Sequence, residues 1–444
     1  MRPLTRNYLL TKFREYYLAA SREAPTRFDS ARLESREWSL MLPPNLESRE
    51  WGFMFFDESG MRRHMSFLSQ GELVDYLLGM VPAHVYYSAA YYQRPGAPTM
   101  KEKLWQGADL IFDLDADHLK KAPKSYGQML DLVKKETLKL LGFLTGDFGF
   151  AEQSMSVVFS GGRGYHIHVR DPGVFGLGSD ERREIVDYLT GRGLDIKRFI
   201  KEIPKAGDKD IDRIAYHLAK KHDMDPGIFQ KKLMNQYSYL VCPPENSAGW
   251  GGRINSSILS FVQHLSNLEK KEAFELLLRK GRIGEDRAKR FYNYLKAPNV
   301  VDLIRKGNLD VIKGSPEIWE MLIGEYLDGK RVDLGLHIDK ERGETDEPVT
   351  ADVRRLIRCP TSLHGGSGLR VTPLSLQALE EFDPLWDAVV FGEEPVAVEV
   401  IKPFSTEMIG QSYKLQEGRT ELPACVAVFL MARGAAELGR AADR

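Results

Sequence analysis

The chain has 444 residues, 43% hydrophobic and 28% charged, with a net charge of −1. That is ordinary globular make-up with room for two or three domains. A near-neutral total gives no global field that would draw in nucleic acid or membrane, so any phosphate binding has to come from local arrangement. The three cysteines, Cys242, Cys359 and Cys425, are far apart, which argues against a disulfide framework or a cysteine-based zinc site and suits a cytoplasmic protein. The longest tempting apolar run, Val426 to Met431, falls well short of the roughly 18 residues of a membrane span. The opening residues, Met1-Arg-Pro-Leu-Thr-Arg6, lack the apolar stretch of a signal peptide.

Tyr8, Leu9, Phe13, Tyr16 and Tyr17 recur near helical spacing and predict an amphipathic helix over residues 5–22. Leu33-Glu-Ser-Arg-Glu-Trp38 returns as Leu46-Glu-Ser-Arg-Glu-Trp51, a repeat too short and isolated to mean a solenoid. Strands at 52–56 and 61–67 flank the turn signal Asp57-Glu-Ser-Gly60, the pattern of a β-hairpin. A helix is expected over 70–78 and a strand over 83–88.

Residues 108–117, Ala-Asp-Leu-Ile-Phe-Asp-Leu-Asp-Ala-Asp, predict a strand that delivers carboxylates to one place. Asp109, Ile111, Asp113, Asp115 and Asp117 share one face, and Leu110, Phe112 and Leu114 share the core face. Asp113 and Asp115 stand roughly 6.5–7 Å apart at their Cα atoms, close enough for each to resist ionising beside the other. A divalent cation removes that conflict, and Mg²⁺ or Mn²⁺ takes oxygen ligands together with substrate phosphates. Metal-dependent phosphoryl or nucleotidyl transfer is therefore the first reading. A calcium loop is rejected, because its glycine and glutamate positions hold His118 and Lys124. An Asp-x-Asp phosphohydrolase, with Asp113 as nucleophile, is the alternative. A solvated strand end with chance acidity is the bland one.

A Lys-rich turn at 120–124 leads to a helix over 125–141, then strands over 155–159 and 165–170. Between them lies the tight turn Ser160-Gly-Gly-Arg-Gly164, followed by Tyr165 and His166. Its glycines let backbone approach a ligand, its N–H groups suggest an anion nest, and Arg163 offers a planar fork to phosphate oxygens. His166 and His168 share a strand face; the bland reading is a hairpin with a core-facing histidine pair. Residues 172–330 turn charged, Leu-rich and helical by pattern, with a basic cluster around 279–290 that reads as a solvated face. Strand character resumes over 331–338. Asp346 precedes a predicted helix over 350–358, closed by Pro360, where it would complete a three-carboxylate set. On that helix Arg354 and Arg358 would share a face. His364 lies in a Gly-rich loop, a strand follows over 369–373, and the tail carries a strand over 396–401 and a helix over 422–438.

Three motifs in order now carry a resemblance: Phe112-Asp-Leu-Asp115, Ser160-Gly-Gly-Arg-Gly-Tyr-His166, and Asp346 followed by Arg358-Cys-Pro-Thr-Ser-Leu-His364. With Leu46-Glu-Ser-Arg-Glu-Trp-Gly-Phe53, the chain resembles the small catalytic subunits of archaeal DNA primases, in the archaeo-eukaryotic primase superfamily, over most of residues 1–375. The resemblance implies an α+β fold: a mixed-sheet primase core (1–171 and 331–395), a helical insertion (172–330) and a small C-terminal extension (396–444). It implies that Asp113, Asp115 and Asp346 hold two Mg²⁺ or Mn²⁺ ions. It further implies that Ser160, Arg163, His166, Arg358 and His364 bind the triphosphate and sugar of an incoming nucleotide. Arg63 falls where the family has a triphosphate-binding arginine, and Glu50 where it has an active-site glutamate. Many members carry a Cys/His zinc insertion between the first two motifs. Residues 117–154 contain no cysteine here, so no zinc site is expected. The implied activity is synthesis of short RNA or DNA primers on single-stranded DNA from NTPs or dNTPs, alongside a larger subunit with an iron–sulfur cluster. The non-enzymatic alternative is a nucleic-acid-binding subunit of a replication complex.

Overall fold

Two four-stranded antiparallel sheets form the centre of the first of two compact units, which comprises residues 1–190 and 344–444. The structure is a computed structural model that describes residues 1–22, 40–116, 125–195, 198–204, 208–281, 284–309 and 347–439. The first copy of the short repeat, Asp117, the Lys-rich turn, the strand expected over 331–338 and Asp346 all lie outside the described residues.

In chain order the first strands are β1 (Trp51–Met54), β2 (Arg62–Met65), β3 (His84–Ser88), β4 (Ala90–Tyr92), β5 (Trp105–Ala108) and β6 (Leu110–Asp115). Next come β7 (Met155–Phe159), β8 (Gly164–Val169), β9 (Lys201–Pro204), β10 (Ser238–Val241), β11 (Leu356–Arg358) and β12 (Thr372–Leu374). The tail adds β13 (Pro395–Val400), β14 (Phe404–Met408), β15 (Gln411–Leu415), β16 (Gly418–Pro423) and β17 (Ala436–Leu438). One central sheet runs β11-β3-β1-β2 and the other β12-β7-β8-β6. Helices and antiparallel sheets are thus mixed, compatible with the α+β expectation.

The predicted hairpin is β1–β2, with Trp51 opposite Met65. The helix Pro3–Arg22 buries Leu9, Phe13, Tyr16 and Tyr17, four of the five residues its spacing singled out, and leaves Tyr8 half-buried. Phe13, Tyr17, Trp51, Phe53, Val85, Tyr87 and Ile357 belong to one core cluster that also takes in Ile111 of β6, so the sheets share a core. Leu110, Phe112 and Leu114 are buried on the opposite face of β6. Every residue of β8 is buried, because the helix Tyr126–Gly146 packs on it and Tyr87 of the first sheet meets His168. Those two rings stack at 6.4 Å with 8° between their planes.

Arg49 and Asp109 also tie the sheets together. Arg49 is fully buried and donates to the carbonyls of Ser88 and Ala89 at 2.8 and 2.9 Å and to Asp109 Oδ2 at 2.9 Å. Asp109 accepts in addition from Tyr91 Oη at 2.9 Å and from Arg170 Nε at 3.3 Å. The shared acidic face therefore divides: Asp109 is a structural anion in the core, and only its neighbours further along reach a cavity.

The helix expected over 350–358 is not formed. A short helix, Glu347–Ala351, gives way to a turn in which Asp352 Oδ1 accepts from the Arg354 N–H at 2.9 Å. Leu356, Ile357 and Arg358 then pair with Ser88, Tyr87 and Tyr86 of β3. The Asx turn and the ladder supply partners that the helix would otherwise provide, so long-range pairing overrides local spacing. The tail is also more sheet-rich than expected. β13 pairs with β16 and β17, and the helix is confined to Ala424–Ala432, apolar on all sides and buried. Gly434, at φ +64°, follows its end.

The second unit spans residues 191–343. It is mainly helical, as the pattern predicted, with helices Asp208–His222, Pro226–Tyr237, Gly249–Asn267, Lys270–Gly281 and Glu285–Leu295. The antiparallel pair β9–β10 within it was not expected. The expected start at 172 compares with an observed one at 191. The helix Ser179–Thr190 stays in the first unit, where buried Arg182 donates to the carbonyls of Asp109 and Ala108 at 2.9 and 3.0 Å. Among the described residues no helix is long and apolar enough to cross a membrane.

Candidate active site

A cavity of about 380 Å³ opens in the first unit between β6 and β8 on one side and β3 and β11 on the other. Asp113 and Asp115 both line it, as alternation along β6 requires. Across the ladder Asp113 faces His166 and Asp115 faces Gly164. His166 Nε2 is 3.5 Å from Asp113 Oδ1, and Arg163 Nε is 3.9 Å from Asp115 Oδ1. The two carboxylates are partly exposed to the cavity, at 21% and 30% of their side-chain surface.

The Ser160–Gly164 turn closes one end. Gly161 has φ +74°, a left-handed backbone that favours glycine. A Cβ on Gly164 would stand 2.2 Å from the Leu114 carbonyl oxygen, so only glycine lets β8 approach β6 here. Ser160 Oγ accepts from the N–H groups of Gly162 and Gly164, each at 3.3 Å. Those two N–H groups face the serine and not a ligand, which corrects the expected anion nest. The turn's remaining donors toward the cavity are the Arg163 side chain and the Ser160 hydroxyl.

Arg358 projects into the cavity from β11, not from a helix. Its Nη1 is 2.7 Å from His84 Nδ1, and Gly365 N–H donates to the same nitrogen at 3.2 Å. Arginine and amide N–H groups only donate, so His84 Nδ1 is unprotonated. Burial, reinforced by Arg358, holds the His84 pKa down to about 3. His364 is organised in the same way. Its Nδ1 accepts from Gly366 N–H at 3.2 Å, which places the proton of the neutral ring on Nε2, beside Gly162. Burial, then Arg358, holds this ring neutral too. His166 is held to about 3 by burial, then by Arg358 and Arg355.

Seven expected residues therefore meet in one cavity: Asp113, Asp115, Ser160, Arg163, His166, Arg358 and His364. Arg63 and Glu50 meet each other instead, Nε to Oε1 at 3.0 Å, with Glu50 fully buried beside Lys103. Neither lines the cavity. Arg354 is exposed and does not line it either; Arg355 does, together with Tyr86 and Arg433. No spacing in the sequence marked these three or His84. Arg355 falls next to a motif arginine, whereas Tyr86, His84 and Arg433 arrive through strand pairing and tail packing.

Asp113 and Asp115 present only oxygen donors, with neutral imidazoles and no thiol nearby, a set suited to a hard divalent cation. Among the described residues no group of three or more His, Cys, Asp or Glu side chains is placed to hold a metal.

Burial of neutral histidines links stability to pH. In the unfolded chain these rings titrate near 6.5, whereas His84 is held to about 3 and His168, by burial and then Arg170, well below its usual value. In that window the unfolded chain binds the extra protons, so stability falls as pH drops from about 6.5 towards 3, by up to ~1.4 kcal/mol per pH unit per ring. Urea midpoints measured from pH 7 to pH 4 should decline, and less steeply in His84→Asn. Equal slopes for the variant and the parent would contradict this.

Four arginines, Arg163, Arg355, Arg358 and Arg433, outnumber the two aspartates on the cavity wall. A lining of that charge suits a polyanionic ligand such as a phosphate ester. The family model of the DNA primase small subunit matches residues 112–376, from the residue before Asp113 to beyond His364. The chain is 51% identical over 443 residues to the DNA primase small subunit PriS of Methanothrix thermoacetophila, covering 99% of this chain and 100% of that one. It is 45% identical over 435 residues to PriS of Methanococcoides burtonii, covering 98% and 99%. To PriS of Methanosarcina barkeri it is 43% identical over 441 residues, covering 98% and 97%. The chain belongs to the DNA primase small-subunit family.

Proposed function

We propose that this cavity is the catalytic site of a DNA-directed primase, which builds short RNA or DNA primers on single-stranded DNA by nucleotidyl transfer from NTPs or dNTPs. One observation carries the reading: motifs around residues 113, 163 and 358, remote in sequence, bring two carboxylates and several arginines into one cavity. Family membership supports it. In the reaction the 3′-oxygen of the primer forms a bond to the α-phosphorus of the nucleotide, the α–β bridge breaks, pyrophosphate leaves and the hydroxyl proton is released.

Asp113 and Asp115, with Asp346 from outside the described residues, would hold two Mg²⁺ or Mn²⁺ ions, which when bound supply Lewis-acid activation of the hydroxyl and neutralise charge on the phosphates. Arg163 and Arg358 orient the triphosphate through charge-assisted hydrogen bonds. His364 donates from Nε2, and His84 holds the Arg358 fork in place. His166 offers a neutral ring to Asp113, leaving the carboxylate its charge. A large primase subunit would be the partner, since each relative is a small subunit by name. Template contacts of so neutral a chain should be weak, made to the backbone and salt-sensitive. Cytoplasmic work with the replication machinery follows from this reading.

Arg163→Ala and Arg358→Ala should each lower kcat/KM for the nucleotide by about ten- to a hundredfold, the loss of one or two charge-assisted bonds. Steady-state primer extension measures this, and unchanged kinetics in both would remove the triphosphate role. A homopolymer-template assay separates the rivals. Phosphate release from small phosphoesters with label on Asp113 would indicate a phosphohydrolase, and strand binding with no synthesis a non-catalytic subunit.

A further inference from the structure

Arg433 follows the helix Ala424–Ala432 in the tail, outside the 112–376 span of the family match, yet it lines the same cavity. Its guanidinium carbon lies 4.2 Å from the Tyr126 ring centroid and 4.3 Å from that of Phe429. Its Nε is buried with no hydrogen-bond partner, and among the described residues it makes no ion pair with a carboxylate. Burial lowers its pKa, and the nearby charge of Arg163 works in the same direction. The two aromatic faces offset only part of that cost, since a cation–π contact contributes about 0.5–2 kcal/mol. A guanidinium does not shed its proton, so the deficit persists until an anion arrives.

The location narrows down which anion. The Tyr126 hydroxyl donates to the Gly162 carbonyl, so the ring under Arg433 also anchors the turn that carries Arg163. Asp113 and Asp115 are among the charges that act on Arg358, whereas those acting most on Arg433 are Tyr126 and Arg163. Arg433 thus belongs to the glycine-turn end of the cavity with Tyr126 and Arg163; Arg163 reaches towards Asp115, and neither carboxylate is among the charges that act on Arg433.

We infer that Arg433 binds the distal phosphates of the incoming nucleoside triphosphate together with Arg163, making the C-terminal extension part of the nucleotide site. This rests on the nucleotidyl-transfer reading above. The tail thereby has a role in the chemistry, because its helix, buried on all sides, holds one arginine rigidly at the cavity wall.

The test uses the full chain with Arg433→Met, which keeps the packing on both rings and removes the charge, and Arg433→Lys, which restores it. ATP, ADP and AMP binding by calorimetry are compared with primer-extension kinetics. Arg433→Met should weaken ATP binding by about tenfold, weaken ADP less and leave AMP unchanged. It should raise the nucleotide KM far more than it lowers kcat, and Arg433→Lys should recover most of the loss. A merely structural arginine would weaken all three ligands alike. Equal ATP affinity in Arg433→Met and the parent, or a parallel loss for ATP and AMP, overturns the inference. If Arg433→Met does not fold, Arg433→Lys against Arg433→Gln decides, and equal ATP affinity for those two overturns it as well. A parent that fails to prefer ATP over AMP overturns the underlying reading and the inference with it.

Discussion

On the proposed reading, Asp113→Asn or Asp115→Asn should abolish primer synthesis with magnesium and with manganese, while the thermal midpoint should stay within a few degrees of the parent. Both parts of that result follow from β6. The strand is held by buried Leu110, Phe112 and Leu114 and by its ladder to β8, none of which the substitutions touch. The contacts from the two carboxylates to His166 and Arg163 are long, at 3.5 and 3.9 Å, so these two contacts contribute little to folding. Removing one of two neighbouring negative charges also relieves their mutual repulsion. Catalysis has no such reserve. On the proposed reading, a carboxylate that helps hold a metal pair would supply several kcal/mol of transition-state stabilisation, and ~4 kcal/mol is about a thousandfold in rate. Primer synthesis on a homopolymer, with circular-dichroism melts alongside, reads both parts. A double variant that still extends primers would end the metal-site reading.

Arg49→Met should destabilise the protein by about 3 kcal/mol, the lower end for breaking a buried ion pair from one side. The guanidinium is fully buried, its carbon 3.7 Å from the Tyr91 ring centroid, and it donates to two carbonyls and Asp109. Its loss strands the Ser88 carbonyl, leaves the Ala89 carbonyl with the Asp109 N–H at 3.0 Å, and leaves the Asp109 carboxylate with Tyr91 and Arg170. Those remaining partners are why the effect is not larger. Asp109→Asn in the Arg49→Met background should recover part of the loss, because the uncompensated charge goes with it. Urea unfolding of the two single variants and the double closes the cycle. A cost below ~1 kcal/mol for Arg49→Met would show that the pair does not brace the two sheets.

The two predictions separate aspartates that share a strand face and looked equivalent in the sequence. Asp109 and Asp113 are four residues apart with the same polarity. What distinguishes them is the opposing surface: Arg49, Arg170 and Tyr91 meet the first, whereas a cavity meets the second. Arg354, Arg355 and Arg358 teach the same lesson. Helical spacing selected Arg354 and Arg358, but the Asx turn at Asp352 and pairing with β3 put Arg355 and Arg358 on the cavity wall.

By itself the sequence determined features whose causes lie within a few bonds of each residue. Alternation along β6 put Asp113 and Asp115 side by side, glycines at 161 and 164 permitted the turn, and aromatic spacing marked the first helix. The tertiary structure alone decided that residues 356–358 form a strand, that Glu50 and Arg63 satisfy each other, and that Arg433 comes from the tail to the same cavity. The physical reason is that partners far apart in the chain set these outcomes: a ladder, a buried ion pair or an aromatic platform leaves no periodic trace in the segment that receives it.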